Sequence, residues 1–400
     1  TLVCNYPEYK QNISTVSVSG KDSLFIAITL EKDSLYTANH NQKQINNIVR
    51  NSINAAYGHH FPAQWYKSNF YLTGKLNLSY INRLVDKARY MIDQFHLSEL
   101  TDKTLTQEMY SEMEYFYPSH YIVRTKGSRG NIPEFVTQKG AIDILRGSIY
   151  GSHLCGSISP LSKGAFRFYK FSYEGYYITE SGKRHKIKVH PRYKDPQLVE
   201  GYMYIDDGSW TVTYVKLENQ MNGLDNSITI LYDQIEDNLY LHVTYFNEVD
   251  FGFIGVKGKV VYNISLQYDE ISGKPKVIPH TDSIRVQEAM VDSTVYKRDE
   301  AYWRNLEPYL PNSDTIRYAT DTITFDKEKI NPSKYLLGKI ILGDYIVGNK
   351  SSDFSFRYNG MKMIFRDYNY VDGFWLGNRF DLKQKLRHGK NIEAYPYIYY

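Results

Sequence analysis

FRFYKFSYEGYYITESGKRHKIKVHPRYKDPQLVEGYMYIDDGSWTVTYVKL, residues 166–217, decides the fold class. Four segments of strand composition lie in it, 166–179, 184–191, 199–206 and 209–217. They are rich in aromatic and β-branched residues, which suit a half-buried pleated surface. Turn formers part them at Glu180-Ser181-Gly182 and Asp206-Asp207-Gly208. The densest basic stretch of the chain, Lys183, Arg184, His185, Lys186 and Lys188, belongs here too. It reads as a hairpin with a solvated edge, because edge charges discourage edge-to-edge pairing. Outward from this block the same rhythm continues in 112–124, 227–232, 238–247 and 253–267, with Glu236-Asp237-Asn238 as a further turn. The spacing predicts a meandering antiparallel sheet from 108 to about 268, with short helices near 138–146 and 161–165.

Upstream the period changes. Ile45, Ile48, Val49, Ile53 and Ala56 recur at helical spacing over 38–58, before Gly58. A second helix is predicted over 78–97, with Ile81, Leu84, Val85, Ala88, Met91, Ile92 and Phe95 on one side and Ser79 or Asn77 as cap. Between the two, Trp65, Tyr66, Phe70 and Tyr71 read as strand. Residues 1–32 alternate around a turn at Gly20-Lys21-Asp22, as the end of a β-sandwich would. Downstream, Pro275, Pro279, Pro308, Pro311 and Pro332 mark a connector with a short helix near 297–306. From 337 onward glycines recur between aromatic and aliphatic residues, as in the opening strands of a β-barrel.

Composition narrows the classes. An apolar fraction of 42% and a charged fraction of 23% fit a folded chain. A formal charge of +4 without a concentrated basic face argues against nucleic acid as partner. The 39 tyrosines fit strands and aromatic girdles at a membrane interface, and nucleotide bias in a genome gives the same count. Two cysteines, Cys4 and Cys155, make no disulfide framework and leave a single bridge open. No apolar run is long enough for a transmembrane helix. No signal peptide opens the chain, yet its first residues read as mid-domain, so trimming is expected.

Ser159-Pro160-Leu161-Ser162, Ala165-Phe166-Arg167-Phe168-Tyr169-Lys170 and Tyr173-Glu174-Gly175 form a distinctive block. Lys186-Ile187-Lys188-Val189-His190-Pro191-Arg192, Gly201-Tyr202-Met203-Tyr204-Ile205-Asp206-Asp207 and Trp210 follow it. In order and spacing these resemble a family of Bacteroidota outer-membrane proteins. Its members carry a carboxypeptidase-regulatory-like sandwich, a domain of unknown function and a C-terminal transmembrane barrel. Tyr302-Trp303-Arg304 through Pro311 is similar to the family's linker, and Asn369-Tyr370-Val371-Asp372-Gly373-Phe374-Trp375-Leu376-Gly377 to its entry into the barrel. The resemblance implies a sandwich remnant over 1–33, a periplasmic α+β domain over 34–270, a Pro-rich connector over 271–335 and the start of the barrel over 336–400. The fold class expected is mainly β (α+β), with a curved antiparallel sheet carrying two or three helices on one face. The family's middle domain is similar to the half-barrel of periplasmic lipoprotein carriers, an analogy of fold alone.

The "carboxypeptidase" label invites a zinc search. His96-Leu97-Ser98-Glu99 matches the H-x-x-E ligand pair, and His153, His185, His190 or His242 would have to supply the third ligand. A histidine near a helix C-terminus, where it suits the dipole, is the plainer reading. His59-His60 reads as a helix-end pair and Asp206-Asp207-Gly208 as a tight turn before Trp210. His185 and His190, five apart in a strand, face opposite sides. Serine-hydrolase, P-loop and Rossmann patterns are absent from the sequence. One pattern exceeds chance. Asp-Ser/Thr followed by an aliphatic residue or Thr places Ser23, Ser34, Ser283, Ser293, Thr315 and Thr322 where composition alone gives roughly one such tripeptide. These resemble the O-glycosylation acceptor of exported Bacteroidota proteins, and Asp-Ser/Thr also simply initiates turns.

The expectation is therefore a non-enzymatic protein of the bacterial outer membrane, with this part largely facing the periplasm. It acts in envelope assembly or transport by binding other outer-membrane or periplasmic proteins, or lipid. No cofactor, metal, catalytic residue or nucleic acid is expected. A periplasmic carrier or chaperone for lipid or unfolded barrel strands is the alternative, and a zinc-dependent hydrolase the remote one.

Overall fold

The computed structural model describes residues 40–59, 63–93, 96–131, 148–179, 182–221, 224–253, 255–276 and 295–306, single positions such as 102, 118, 119 and 296 excepted. It also describes 145 and shorter pieces at 2–4, 9, 12–14, 28–36, 335–337 and between 345 and 399. In chain order the strands are β1 (Leu2–Cys4), β2 (Asn12–Ser14), β3 (Trp65–Ile81), β4 (Thr104–Phe116), β5 (His120–Gly130), β6 (His153–Leu154) and β7 (Ser157–Ile158). Then come β8 (Tyr169–Thr179), β9 (Gly182–Pro191), β10 (Glu200–Asp206), β11 (Val212–Met221), β12 (Leu224–Glu236), β13 (Leu239–Phe253) and β14 (Val256–Ser272). The two longer helices are α1 (Gln42–His59) and α2 (Arg83–Asp93).

Ten strands build one sheet in the order β5-β4-β3-β14-β13-β12-β11-β10-β9-β8. Every pairing in it is antiparallel, so the meander read from the sequence is present. The return of β14 to β3 joins the first three strands to the last seven. The sheet is not flat. Tyr121 of β5 bears on the ionisation of Tyr232 of β12. Five strand spacings separate those strands, roughly 24 Å in a flat sheet at about 4.8 Å each. One hydrophobic core takes in side chains of both strands, so the sheet curls around it.

The concave side holds the main core. Tyr66, Leu72, Met109, Met113, Ile187, Val189, Met203, Val215, Ile230, Tyr245 and Ile264 face it from alternate strand positions. Helix α1 lays Ile45, Ile48 and Val49 onto it, and Leu145, Ile149, Leu154 and Leu161 fill beside the helix. The helix starts where its chemistry says it should: Asn41 Oδ1 accepts from Gln44 N at 3.0 Å, and Gln44 Oε1 accepts from Asn41 N at 2.9 Å. This reciprocal cap satisfies two otherwise orphaned donors. Asn41→Ala is expected to cost about 1 kcal/mol, a drop of roughly 3 °C in the thermal midpoint read by circular dichroism.

Several expectations shift. The strand predicted over 112–124 is two strands, with Phe116 opposite His120 across a hairpin. Pro118, which has no N–H to give a ladder, stands between them in the sequence. The helix predicted over 78–97 begins only at Arg83, because β3 stays paired with β14 as far as Ile81 opposite Val256. Asn82, not Ser79 or Asn77, caps it, accepting from Leu84 N at 2.8 Å. Leu84, expected on the packed side, is 52% exposed. Accordingly α2 packs against the 3-10 helix Leu97–Leu100 and does not join α1 over the concave core. The helix expected near 138–146 lies outside the described residues apart from Leu145, and the one near 161–165 is a single turn at Ala165–Phe168.

At the outer edge of β8, Tyr36 exchanges backbone bonds of 2.9 and 3.0 Å with Tyr176. Gly175 makes this approach feasible: its φ is +141°, and an added Cβ would stand 2.7 Å from the Tyr36 carbonyl oxygen. Of the expected sandwich remnant, the described residues show β1 paired with β2, while Ile28, Thr29 and Leu30 lie outside any strand. The short helix Glu300–Arg304 falls inside the window read for the connector. Beyond it, β15 (Tyr345–Val347), β16 (Phe354–Tyr358), β17 (Phe365–Asn369), β18 (Gly373–Lys385), β19 (Asn391–Ala394) and β20 (Tyr397–Tyr399) form an antiparallel sheet around β18, and a closed barrel is not seen among the described residues. No described helix is long and apolar enough to cross a membrane, which says nothing of crossing by strands.

Candidate functional site

Two regions concentrate chemistry. The first is the concave interior. Tyr66, Tyr232, Tyr245 and Tyr268, from β3, β12, β13 and β14, turn their rings into it, and Tyr150 enters from the segment between β5 and β8. The Tyr232 hydroxyl accepts from Ile149 N at 3.4 Å and the Tyr150 hydroxyl from Val212 N at 3.0 Å. Tyr268 donates to the His242 carbonyl at 2.8 Å. Burial pushes the Tyr66, Tyr245 and Tyr268 phenols well up, and the Tyr150 phenol and Cys155 thiol up to about 12. Burial disfavours their charged forms. These groups stay protonated at neutral pH, so neither phenol nor thiol is activated as a nucleophile. Val49, Leu145, Ile149 and Tyr245 are fully buried in this core.

The second region is an open cleft on the outer side, about 790 Å³, lined by Asp195, Glu200, Glu218, Asp225, Glu248 and Asp250, with Lys194 also in its lining. A neighbouring hollow of about 480 Å³ shares Asp225 and Asp250. The register explains the charge. Glu200 lies directly opposite Glu218, and Asp225 directly opposite Asp250. Like charges facing across a ladder are destabilising. Lysines offset part of this: Lys259 donates to Glu248 at 2.5 Å and stands 3.7 Å from Asp250, while Lys216 stands 3.6 Å from Glu218 and Lys188 3.9 Å from Glu200. The hydrogen bond to Glu248 raises the Lys259 pKa, so that ammonium is charged at any physiological pH. Such a surface suits cationic groups and carries carboxylates at several strand positions where one ligand can span them.

The residues singled out in the sequence scatter. His96 Nδ1 meets Asp86 at 2.8 Å, and its ring stacks on Tyr90 at 4.4 Å. Burial works against the Asp86 carboxylate, but bonds from the Ser98 N–H and hydroxyl and from His96 hold its pKa down. This network braces α2 against the 3-10 helix. Glu99 is exposed, and among the described residues no group of three His, Cys, Asp or Glu gathers for a metal. The convergence that the zinc reading requires is therefore not seen there. His185 faces the interior and His190 the other side, bonded to Ser172 at 2.8 Å. Asp206-Asp207-Gly208 is a turn, with Asp206 held by Arg184 at 2.5 and 3.1 Å. Cys155 is outside any disulfide. Of the glycosylation candidates, Ser34 is exposed, while Ser23, Ser283, Ser293, Thr315 and Thr322 lie outside the described residues. The tyrosine interior and the carboxylate cleft were not found from the sequence. Glu248 and Asp250, two apart on one strand face, are the signal that was there to read.

Over residues 48–269, from α1 to β14, the chain matches the "Family of unknown function (DUF5686)" and belongs to that family. No curated protein matches it. Among solved structures it is similar to a Vibrio parahaemolyticus domain ascribed to outer membrane lipoprotein sorting (10% identity, 57% of this chain and 93% of that one, TM-score 0.27). A LolA superfamily protein of Nitrosomonas europaea follows (8% identity, 59% and 94%, TM-score 0.25), and so does the MucA/MucB complex of Pseudomonas aeruginosa (10% identity, 56% and 99%, TM-score 0.18). Scores of this size carry no statement about ligand or partner.

Proposed function

We propose that this chain is the periplasm-facing part of a Bacteroidota outer-membrane protein that works by binding, in envelope assembly or transport. On this reading 1–33 closes a carboxypeptidase-regulatory-like sandwich, 34–270 is the binding domain and 336–400 opens a transmembrane barrel. The observation that supports binding is the outer cleft. Six carboxylates line it, two pairs of them set against each other across the ladder. An arrangement that costs stability makes sense where a partner's lysines or arginines relieve it, so the partner favoured is a protein with a basic segment. The second reading, a carrier for lipid or unfolded barrel strands, draws on the apolar concave face under α1, and it requires that helix to move.

The test is co-purification from native outer membrane with the wild-type chain and with a Glu218→Lys/Asp250→Lys double variant, followed by mass spectrometry of proteins and lipids. Other barrel or assembly proteins recovered by the wild type, and reduced at least tenfold by the variant, support the proposal. Equal recovery by both removes the cleft as the binding surface. A bound lipid without a protein partner moves the weight to the carrier.

A further inference from the structure

The first turn of α1 rests on a stack of titratable rings. His40, just before the helix, lies on the ring of Tyr173 of β8 at 4.0 Å between centroids, and 6.4 Å from the ring of His185 of β9. The Tyr173 hydroxyl meets His185 Nδ1 at 2.9 Å. His185 is 6% exposed, stacks parallel to Trp210 at 6.3 Å and has Asp207 Oδ1 3.8 Å from Nε2. His40 Nδ1 is buried and has no hydrogen-bond partner among the described residues. Beside this stack, Gln42 Nε2 donates to the Phe171 carbonyl at 3.1 Å and holds the helix start to β8.

We propose that this stack is an acid-sensitive latch: protonating His185 frees the first turns of α1 from β8 and β9, and so loosens the roof of the concave interior. This goes beyond the binding function and does not depend on it. A proton on His185 Nδ1 forces Tyr173 to turn its O–H away, because both atoms are then donors. The cation so formed on His185 finds little in its surroundings to offset it. From β8 come the neutral Tyr173 and Tyr176. From β9 come Lys183, which disfavours that cation, and Arg184, already tied to Asp206. Lys186 is tied to Glu174 at 3.2 Å. Asp207, 44% exposed by side chain, is the carboxylate left nearest.

Burial pulls the His185 pKa down, Asp207 pushes it up and His40 pulls it down again, for a net lowering. The sign follows. Between the ordinary histidine value and the lowered one, the released state binds more protons than the latched one. The latch is therefore strong at neutral pH and weakens as pH falls.

The experiment is hydrogen–deuterium exchange on the full chain at about pH 7.5 and about pH 5.5, corrected for the intrinsic pH dependence of exchange. Peptides covering the start of α1 are expected to open about tenfold more at the lower pH, with β12–β14 unchanged. The His40→Phe/His185→Gln double variant is expected to lose the response. Equal protection at both pH values, or a response that survives in the double variant, overturns the latch. Should the double variant not fold, His185→Gln alone removes the titrating ring, keeps a polar partner for Tyr173 and carries the same comparison.

Discussion

Tyr245→Ala is expected to lower the unfolding free energy by about 3–5 kcal/mol, and the thermal midpoint by roughly 10 °C. Tyr245 is fully buried near the centre of the sheet, opposite Ile230 on one side and Ile264 on the other. Its ring packs edge-on to His242 at 5.2 Å. Truncation removes a whole aromatic ring from a site walled by two β-strands that cannot collapse onto the gap, so transfer and cavity terms both count. Tyr245→Phe separates ring from hydroxyl and is expected to cost about 1 kcal/mol. Chemical denaturation of the three proteins reads both numbers. A loss below about 1 kcal/mol in the alanine variant means that the interior is loosely filled, and that result favours the carrier over the binding scaffold.

The sheet was legible where pattern and pairing agree. In 166–217 β8 ends at Thr179 and β9 begins at Gly182, and a turn at Asp207-Gly208 follows β10, at the places read from the sequence. It was illegible where two periods overlap. Leu76, Leu78 and Ile81 continue the strand, while Ile81, Leu84, Val85 and Ala88 suggest a helix. Cross-strand bonds from β14 decide in favour of the strand, and those come from residues some 180 positions away. A one-dimensional pattern holds no record of that partner.

The candidate sites were hidden for the same reason. Tyr66, Tyr232, Tyr245 and Tyr268 look like ordinary strand aromatics until the curl brings them together. Glu200 and Glu218 become a like-charge pair only through the β10–β11 register. His185 was read correctly as facing the opposite side from His190, but its partner His40 belongs to another element. The H-x-x-E pair points the other way: His96 and Glu99 satisfy a motif, yet the ring is engaged by Asp86 and Tyr90. Short motifs carry no geometry.

Trp303→Ala is expected to free the connector from the sheet, with trypsin cutting after Lys297 and Arg298 at least a hundredfold faster. Trp303 is 3% exposed, edge-on to Tyr71 of β3, with the Arg129 guanidinium 4.6 Å above its ring. Arg129 in turn bonds the buried Glu108 and stands 3.2 Å from Glu300, and Arg298 donates to the Lys126 carbonyl at 2.8 Å. Losing a buried Trp costs about 3–5 kcal/mol, and a hundredfold change in the open population needs only about 2.7. Because the clasp lies on the outer face, the concave core keeps its packing and the main thermal transition should barely move. Gly127→Ala tests the same clasp from the sheet side. A Cβ there would stand 2.7 Å from the Tyr302 ring, so helix and strand cannot both keep their places. If the two variants cut alike, Tyr302 and Trp303 act as one unit that fixes the connector to β4 and β5. If Trp303→Ala leaves the cutting rate unchanged, the clasp does not hold the connector, and motion of the sheet is not passed along it.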